Sequence, residues 1–380
     1  MDFSWTPEQE QYRKEVIRFG RERLATAVRE LDRNEEFDRP GWDQCAKFGI
    51  QGLPIPEQYG GSSADILTTV CGLEALGYAC RDNGLLFSLS AHLWACEMPI
   101  LSFGTEELKS RFLPRLASGE WIGALAMAEP EAGSDAFNIK TRATPKGDSY
   151  LLTGSKTFVT NGPVADVLLV VASLDPSKGW QGLTAFVVEK QTPGMTVRPL
   201  QKMGLRSSTM GEIFLDDCEV AASNRLGEDG GGAAIFAHAM EWERAFILAP
   251  AVGTMERVLE RCLDYAKERR QFGKPIGKFQ LVSSKLVDMR LRLETARNLL
   301  YRVAWLKAGG KSVFAEAAMA KLHISESWVQ SCLDAVQLFG GYGYLSDLEI
   351  ERELRDALGS KIFSGTSEIQ RNLIAQLMGL

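Results

Sequence analysis

The sequence predicts an α+β fold in three successive parts, an N-terminal helical domain (1–122), a central antiparallel, barrel-like β domain (123–228) and a C-terminal four-helix bundle (229–380). Helical patterns fill both ends of the chain, whereas short β-prone runs separated by turn residues fill the middle. Because helices and strands do not alternate along the chain, a Rossmann fold and a TIM barrel are excluded.

The first part opens with a helix start. Thr6 offers a capping hydroxyl, Pro7 takes the first helical position, and acidic residues follow in the first turn. From there to about residue 120 the sequence is predicted to be helical.

The middle part contains four runs that are typical of β-strands, at 150–160, 167–171, 183–188 and 211–215. Turn clusters such as 145–148 separate them. Short strands at this spacing, without helices between them, predict a small antiparallel barrel or sandwich.

The last part follows a glycine-rich boundary at 227–232 and is helical almost throughout. Segments near 233–268, 278–308, 313–340 and 349–378 are joined by short connections. Four such helices predict a four-helix bundle.

Composition excludes several classes of protein. The 380 residues include 43 basic and 49 acidic side chains, a net charge of −6, with 45% apolar and 24% charged residues. These values are ordinary for a globular protein and argue against disorder, a fibrous repeat or nucleic-acid binding. The longest apolar run, 167–172, is far shorter than the 18–20 residues a bilayer requires, so no membrane partner is expected.

Cysteine and histidine usage argues against a metal site. The seven cysteines have no metal-binding spacing, and the three histidines are widely scattered. The N-terminal residues carry no signal-peptide pattern, which together with the reduced cysteines predicts a cytoplasmic protein. Phosphate-binding fingerprints also fail, because Trp305 stands where a P-loop ending at Ser312 needs its first glycine.

Five motifs, taken together, resemble the acyl-CoA dehydrogenase family along almost the whole chain. They occur in the family's order at 128–135 (AEPEAGSD), 158–162 (FVTNG), 269–280, 337–341 (QLFGG) and 365–371 (GTSEIQR). The resemblance implies that the protein is an FAD-dependent oxidoreductase acting on CH–CH groups of acyl thioesters.

The resemblance assigns one group of residues to the isoalloxazine and pyrophosphate of FAD. Without it, the loop 128–135 is interpreted as an ordinary surface turn. Ala128 departs from the family, which usually places a flavin-bonding hydroxyl there, and this leaves the electron acceptor open between electron-transfer flavoprotein and O2. Thr160 is expected to bond flavin N5. The group comprises Leu125, Met127, Ala128, Gly133, Ser134, Phe158 and Thr160.

A second group is implied to reach the FAD of a neighbouring subunit, which would make the protein an obligate oligomer, most often a dimer of dimers in the family. The group comprises Arg269, Phe272, Gln280, Gln337 and Gly341. Thr366 and Glu368 are placed by resemblance beside the adenosine pyrophosphate, at a helix start. From the pattern alone, Arg269 is equally a solvated residue at a helix end.

Glu241 and Glu243 are the two candidates for the catalytic base. One branch of the family carries a glutamate at the position of Ser364, and a serine cannot replace that carboxylate. Another branch places the glutamate before an arginine on the first C-terminal helix, as in Glu243–Arg244. Glu243 lies on an apolar helical stripe, where burial would raise its pKa, whereas Glu241 is interpreted as a surface residue paired with His238 and Arg244.

The mechanism that the resemblance implies is α,β-dehydrogenation. Glu243 removes the α-proton and hydride passes to flavin N5, while Arg244, Phe363 and Ser364 contact the substrate and 85–93 shapes its pocket. Three alternatives stay open. The acyl group is tethered to a carrier protein, for example as a prolyl thioester, with Lys202, Arg206 or Arg225 forming a basic docking patch. The protein is an oxygen-using flavin oxidase, or it is a catalytically silent flavoprotein.

Overall fold

The structure, a computed structural model, describes residues 5–24 and 27–380. Two sets of helices flank one β-sheet. The helices are α1 (Pro7–Arg23), α2 (Val28–Asn34), α3 (Arg39–Phe48), α4 (Ile66–Ala79), α5 (Asn83–Ala91), α6 (Met98–Phe103), α7 (Glu106–Ala117), α8 (Gly232–Phe246), α9 (Ala249–Glu268), α10 (Gln280–Ala308), α11 (Phe314–Phe339), α12 (Gly341–Tyr344), α13 (Ile350–Gly359) and α14 (Ser367–Leu377).

The predicted start of the first helix is confirmed. Thr6 Oγ1 accepts a hydrogen bond from the Gln9 backbone N–H, and the Gln9 side chain accepts one from the Thr6 N–H, both at 3.2 Å. This reciprocal capping box satisfies two helix-terminal donors at once.

One sheet forms the middle of the molecule, in the strand order β6-β7-β3-β2-β4-β5-β8, with β1 added to β4. A separate hairpin pairs β9 with β10. The strands are β1 (Gly123–Ala126), β2 (Arg142–Lys146), β3 (Ser149–Thr160), β4 (Val167–Ser173), β5 (Leu183–Glu189), β6 (Met195–Pro199), β7 (Met210–Ala221), β8 (Arg225–Leu226), β9 (Arg270–Gln271) and β10 (Lys274–Pro275).

The prediction of a closed antiparallel barrel is wrong. The outer strands β6 and β8 do not pair in the described part of the chain, so the sheet stays open, and β1 runs parallel to β4. The sequence does not predict β1, Gly123–Ala126, because the strand has only four residues and most of their side chains are too small to show a strand pattern. This missed strand leads directly into the loop 128–135.

The C-terminal helices pack on one another and on the N-terminal helices to form the largest hydrophobic core. Gly253 of α9 lies so close to α4 that an added Cβ would stand 1.9 Å from the Glu74 carbonyl oxygen. Two of the predicted helices are each divided. The first breaks at Ile247–Leu248, and the last breaks at a turn covering 360–366, where φ is positive at Ser364 and Gly365.

A helical stretch, Asn83–Phe103, is long and apolar enough to cross a membrane, contrary to the sequence analysis, which counted only uninterrupted apolar residues. A turn of π-helix, His92–Glu97, interrupts this stretch and places two polar side chains in it. In the structure 94% of its apolar window is buried, as expected for a core helix.

Candidate active site

Glu243 lies buried on α8, with 9% of its surface exposed. The apolar residues Ala239, Phe246 and Ile247 on the same face of the helix place it toward the interior. Burial raises the pKa of Glu243, although the Ser364 hydroxyl and the charges of Arg244 and Lys321 oppose the increase. This is the environment that the sequence predicted for the residue, and it suits a general base.

Glu241, two residues earlier, has different surroundings from those predicted. It is buried, not exposed, and its Oε1 lies 3.1 Å from Lys307 Nζ and accepts the Val313 N–H at 2.8 Å. Lys307 belongs to α10, and Val313 lies in the turn between α10 and α11, which covers this part of α8. Residue spacing within α8 alone cannot predict such a contact with another helix. Glu241 is thus a structural ion-pair residue.

Ser364 brings the C-terminal turn into contact with Glu243. Its hydroxyl donates to Glu243 Oε1 at 2.5 Å, and its φ of 56° lies in the left-handed region, which is unusual for a serine. Among the described residues no acceptor contacts the Ser364 backbone N–H. The same residue therefore offers a hydroxyl to the carboxylate and a free backbone donor beside it.

Arg244 acts on this turn from α8. Its Nε donates to the Ser364 carbonyl oxygen at 3.1 Å, while Gln370 Nε2 donates to the same oxygen at 3.0 Å. Arg244 thus orients Ser364, and its role as a substrate contact remains a prediction.

A small, mainly apolar cavity lies next to this cluster. Phe363, which precedes Ser364 in the turn, lines this cavity together with Ile247, which lies one helical turn after Glu243. Leu86 and Phe87 complete the wall, and both belong to the segment 85–93 that was predicted to shape a pocket. Its volume is about 20 Å³, which is room for about one water molecule. The rings of Phe87 and Phe363 lie 4.4 Å apart, so the closed pocket is narrow.

The two segments assigned to the flavin lie side by side and are joined by a buried ion pair. Lys156 Nζ lies 2.8 Å from Glu129 Oε1 and also donates to the Met127 carbonyl oxygen at 3.0 Å. The Thr157 N–H donates to the Ala128 carbonyl oxygen at 2.9 Å. Burial lowers the pKa of Lys156 to about 8, while Glu129 opposes the shift. These bonds fix β3 against the loop that follows β1.

The residues beside this ion pair fit a flat aromatic cofactor. Phe158 lies within a β-bulge of β3, between Lys156 and Val159, has a φ of 56° and leaves 64% of its surface exposed. An aromatic ring held outward by a strained backbone indicates a binding surface. Gly133 leaves open space where a Cβ would stand, and Leu125, Ala128 and Thr160 are only partly buried. The Ser134 side chain is also exposed along this loop.

The second group of predicted cofactor residues occupies a different surface. Arg269, Phe272, Gln280, Gln337 and Gly341 are all exposed, and among the described residues no hydrogen bond joins them to the loop 128–135. Phe272 leaves 93% of its surface exposed, at the tip of the β9–β10 hairpin. The structure therefore separates the two groups within one chain.

Thr366 caps α14, its hydroxyl accepting the Ile369 N–H at 3.3 Å. A helix N-terminus attracts anionic groups. Glu368 is exposed in the first turn, where its own backbone N–H and the Thr366 hydroxyl lower its pKa. As a carboxylate it suits a ribose hydroxyl rather than a phosphate.

All three predicted basic docking residues are engaged within the fold. Lys202 donates to the backbone carbonyls of Leu205 and Ser208, and Arg225 contacts Tyr150 and Asp229. Arg206 bonds the Lys202 carbonyl oxygen and lies 3.9 Å from Glu35. These side chains do not form a free basic patch, because each has an internal partner.

Lys321 and Lys156 are site residues that the sequence analysis missed, although the signal was present. Lys321 has Ala317, Ala318 and Ile324 at helical spacing, the same apolar stripe that identified Glu243. Lys156 shares its strand face with Tyr150 and Leu152, which predicts that it points inward.

The segments that carry the exposed Phe158 and the buried Glu243 both match one known protein family. Three family profiles match in succession: "Acyl-CoA dehydrogenase, N-terminal domain" over residues 6–120, "middle domain" over 124–218 and "C-terminal domain" over 230–379. The chain belongs to the acyl-CoA dehydrogenase family, as its motifs predict. Members of this family are oxidoreductases that act on CH–CH bonds of acyl thioesters.

Similar proteins refine this assignment. An L-prolyl-[peptidyl-carrier protein] dehydrogenase of Pseudomonas fluorescens is 44% identical over the full length of both chains. The crystal structure of the prolyl acyl carrier protein oxidase AnaB has 54% identity and a TM-score of 0.98, covering 99% of this chain and all of AnaB. A structure of PigA with FAD and proline has 41% identity and a TM-score of 0.97 over both full chains. FAD is the cofactor of this fold, as predicted.

Proposed function

We propose that this protein oxidises a prolyl group held as a thioester on a peptidyl-carrier protein, with Glu243 as the base. Two observations support the substrate. Full-length relatives and solved structures that are 41–54% identical to the chain are described as acting on prolyl carrier proteins or as binding proline. Phe363 also stands beside Ser364 and closes the wall of the small cavity there, which supports a substrate contact at this position.

The observation that carries the chemistry is the contact between Ser364 and Glu243. The buried carboxylate takes the proton α to the thioester carbonyl, and its raised pKa strengthens it as a base. The Ser364 N–H then donates to the thioester oxygen, where negative charge develops as the proton leaves. FAD, when bound, accepts the hydride from the β-carbon.

Residues on both faces of the molecule hold the cofactor in this proposal. Leu125, Met127, Gly133, Ser134, Phe158 and Thr160 line the flavin, with Ala128 beside them. Arg269, Phe272, Gln280, Gln337 and Gly341 reach the cofactor of a second copy, while Thr366 and Glu368 lie at its adenosine end. Since these surfaces are separated within one chain, the proposal requires an oligomer, with a homotetramer as the expected form.

The domain limits in this proposal are 1–122, 123–228 and 229–380. The flavin loop 128–135 then belongs to the second domain, and the base Glu243 belongs to the third. The seven cysteines are free and buried, which supports a reducing, cytoplasmic location.

An anaerobic titration of the purified holoprotein tests the substrate. The visible flavin band is followed while prolyl-carrier protein, other aminoacyl-carrier proteins, and short, branched and long acyl-CoAs are added separately. Bleaching by the prolyl-carrier protein alone is the expected result. Bleaching by free acyl-CoAs would indicate a general acyl-CoA dehydrogenase, and an unreduced flavin with every thioester would support a non-catalytic role.

A second candidate function, direct use of O2, is favoured by Ala128, which supplies no side-chain hydroxyl at the flavin loop. AnaB is described as an oxidase. Oxygen uptake with peroxide release during turnover would identify this function, whereas turnover that requires an electron-transfer flavoprotein would exclude it.

A further inference from the structure

Lys321 is a buried lysine whose charge has no direct partner. It belongs to α11, is 0% exposed, and among the described residues no carboxylate lies within 4.0 Å of its Nζ. Its hydrogen bond goes instead to the Gly365 carbonyl oxygen, at 2.7 Å. Because lysine is almost never fully buried without a counter-charge, this position requires an explanation.

The bond holds the turn that carries Ser364. Ser364 and Gly365 both have positive φ, 56° and 88°, a conformation that costs free energy at the serine. Lys321 and Gln370 donate to the Gly365 carbonyl oxygen, while Arg244 and Gln370 donate to that of Ser364. With both carbonyl oxygens held from three sides, the orientation of the Ser364 N–H and hydroxyl toward Glu243 is determined.

Lys321 also contributes charge to the site. Its positive charge, with that of Arg244, opposes the effect of burial on Glu243 and keeps the pKa of that carboxyl from rising further. The groups that face Lys321 are Arg244 and Glu243 on α8, Glu326 on its own helix and Glu368 on α14. Burial and Arg244 lower the pKa of Lys321 to about 8, so the lysine is mainly charged at neutral pH.

We propose that Lys321 is a positioning residue for the oxidation, holding the Ser364–Gly365 turn in its strained conformation so that the Ser364 hydroxyl and N–H stay directed at the Glu243 carboxylate and its substrate. This inference rests on the proposed function, because it acts through Ser364 and Glu243. It adds a residue on a third helix to the site.

The experiment compares K321M, which loses both the donor and the charge, with K321R, which keeps both. For K321M, kcat/KM falls roughly 10–100-fold, as expected for a misplaced donor. The acid limb of its pH–rate profile moves up by about one unit, because Glu243 binds its proton more tightly. K321R keeps the limb in place and recovers most of the rate. K285M, on α10, removes a lysine that pairs with Asp334 near the far end of α11; it is the matched control and changes neither property.

A second readout does not depend on turnover. Between about pH 5 and pH 7, where Lys321 is mainly charged in both the folded and the unfolded state, the thermal unfolding midpoint of K321M falls more steeply than that of the native protein as pH rises, and this excess disappears in K321M/E243Q. If K321M fails to fold, K321Q retains a donor without the charge and shows the same limb shift. A folded K321M with an unmoved acid limb, or a K321R as impaired as K321M, overturns the proposal. A fully active E243Q would instead contradict the proposed function itself.

Discussion

Glu241 and Glu243 are two residues apart on α8 and both are buried, yet their surroundings give them opposite roles. Glu241 pairs with Lys307 and accepts a backbone N–H, whereas the Ser364 hydroxyl is the only hydrogen-bond donor that contacts the Glu243 carboxylate among the residues that the structure describes. Glu243 is therefore an incompletely compensated carboxylate, which supports the role proposed for it in the chemistry.

Replacing each glutamate should change stability in opposite directions. The native state binds the Glu243 proton more tightly than the unfolded chain does, so this group destabilises the fold as pH rises above its ordinary pKa. At pH 7, E243Q is thus expected to be at least as stable as the native protein, with a weaker decline toward alkaline pH. E241Q leaves Lys307 without its counter-charge and should lose about 1 kcal/mol or more of unfolding free energy.

Urea unfolding at pH 5.5 and pH 7.5 measures both changes. An E243Q protein that is less stable than E241Q at pH 7.5 would show that Glu243 is a structural residue.

Phe363 should determine how large an acyl group the site accepts. F363A removes one wall of the narrow cavity, so the ratio of kcat/KM for a six-membered-ring pipecolyl thioester to the five-membered-ring prolyl thioester, both on the carrier protein, should rise by about tenfold. Steady-state rates with the two thioesters measure this ratio. An unchanged ratio would place the acyl group elsewhere.

Strand β3 carries an exposed and a buried site residue close together. Its bulge exposes Phe158, while Lys156, two residues earlier, points inward and pairs with Glu129. Removing one partner of a buried ion pair leaves the other charge uncompensated. K156M is expected to cost about 3–5 kcal/mol of unfolding free energy and to weaken FAD binding.

The matched control is K146M, which breaks an ion pair with Glu219 whose side chains are more than half exposed. This loss should stay below about 1 kcal/mol. Chemical unfolding and the equilibrium retention of FAD on dilution test both variants. Equal effects of K156M and K146M would contradict the role given to the buried pair.

Some parts of the fold and of the site could be predicted from the sequence, and others could not. The capping box at Thr6, the β-runs that became β3, β4, β5 and β7, and the burial of Glu243 could be predicted because each depends on local spacing. The open edge of the sheet, the partner of Glu241 and the turn at 360–366 could not. They depend on contacts between segments far apart in the chain, and local periodicity carries no information about these.

At the scale of the whole molecule, the surface around Phe272 is the feature that a single chain leaves unexplained. Phe272 and Leu281 are almost fully exposed, and Val287 and Leu291 continue the apolar surface along α10. Exposed apolar patches of this kind are usually covered by another protein surface. We expect a second copy to cover this one and to share the cofactor site.

F272S should therefore shift the protein toward smaller species and lower its affinity for FAD. Light scattering after size-exclusion chromatography measures the first effect, and fluorescence titration of the apoprotein with FAD measures the second. W180S removes an exposed aromatic from the sheet domain, with 58% of its surface exposed, and should change neither. A native protein that is monomeric with FAD bound would refute the shared site.

The central claim is that Glu243 removes the α-proton. The most direct test is the rate of flavin reduction in a single turnover, measured anaerobically by stopped flow with prolyl-carrier protein for the native protein, E243Q and E241Q. With FAD bound equally in all three, E243Q is expected to reduce its flavin more slowly by a factor of at least about 10³, while E241Q stays within about tenfold of the native rate. An E243Q protein that keeps the native rate would show that another group removes the proton.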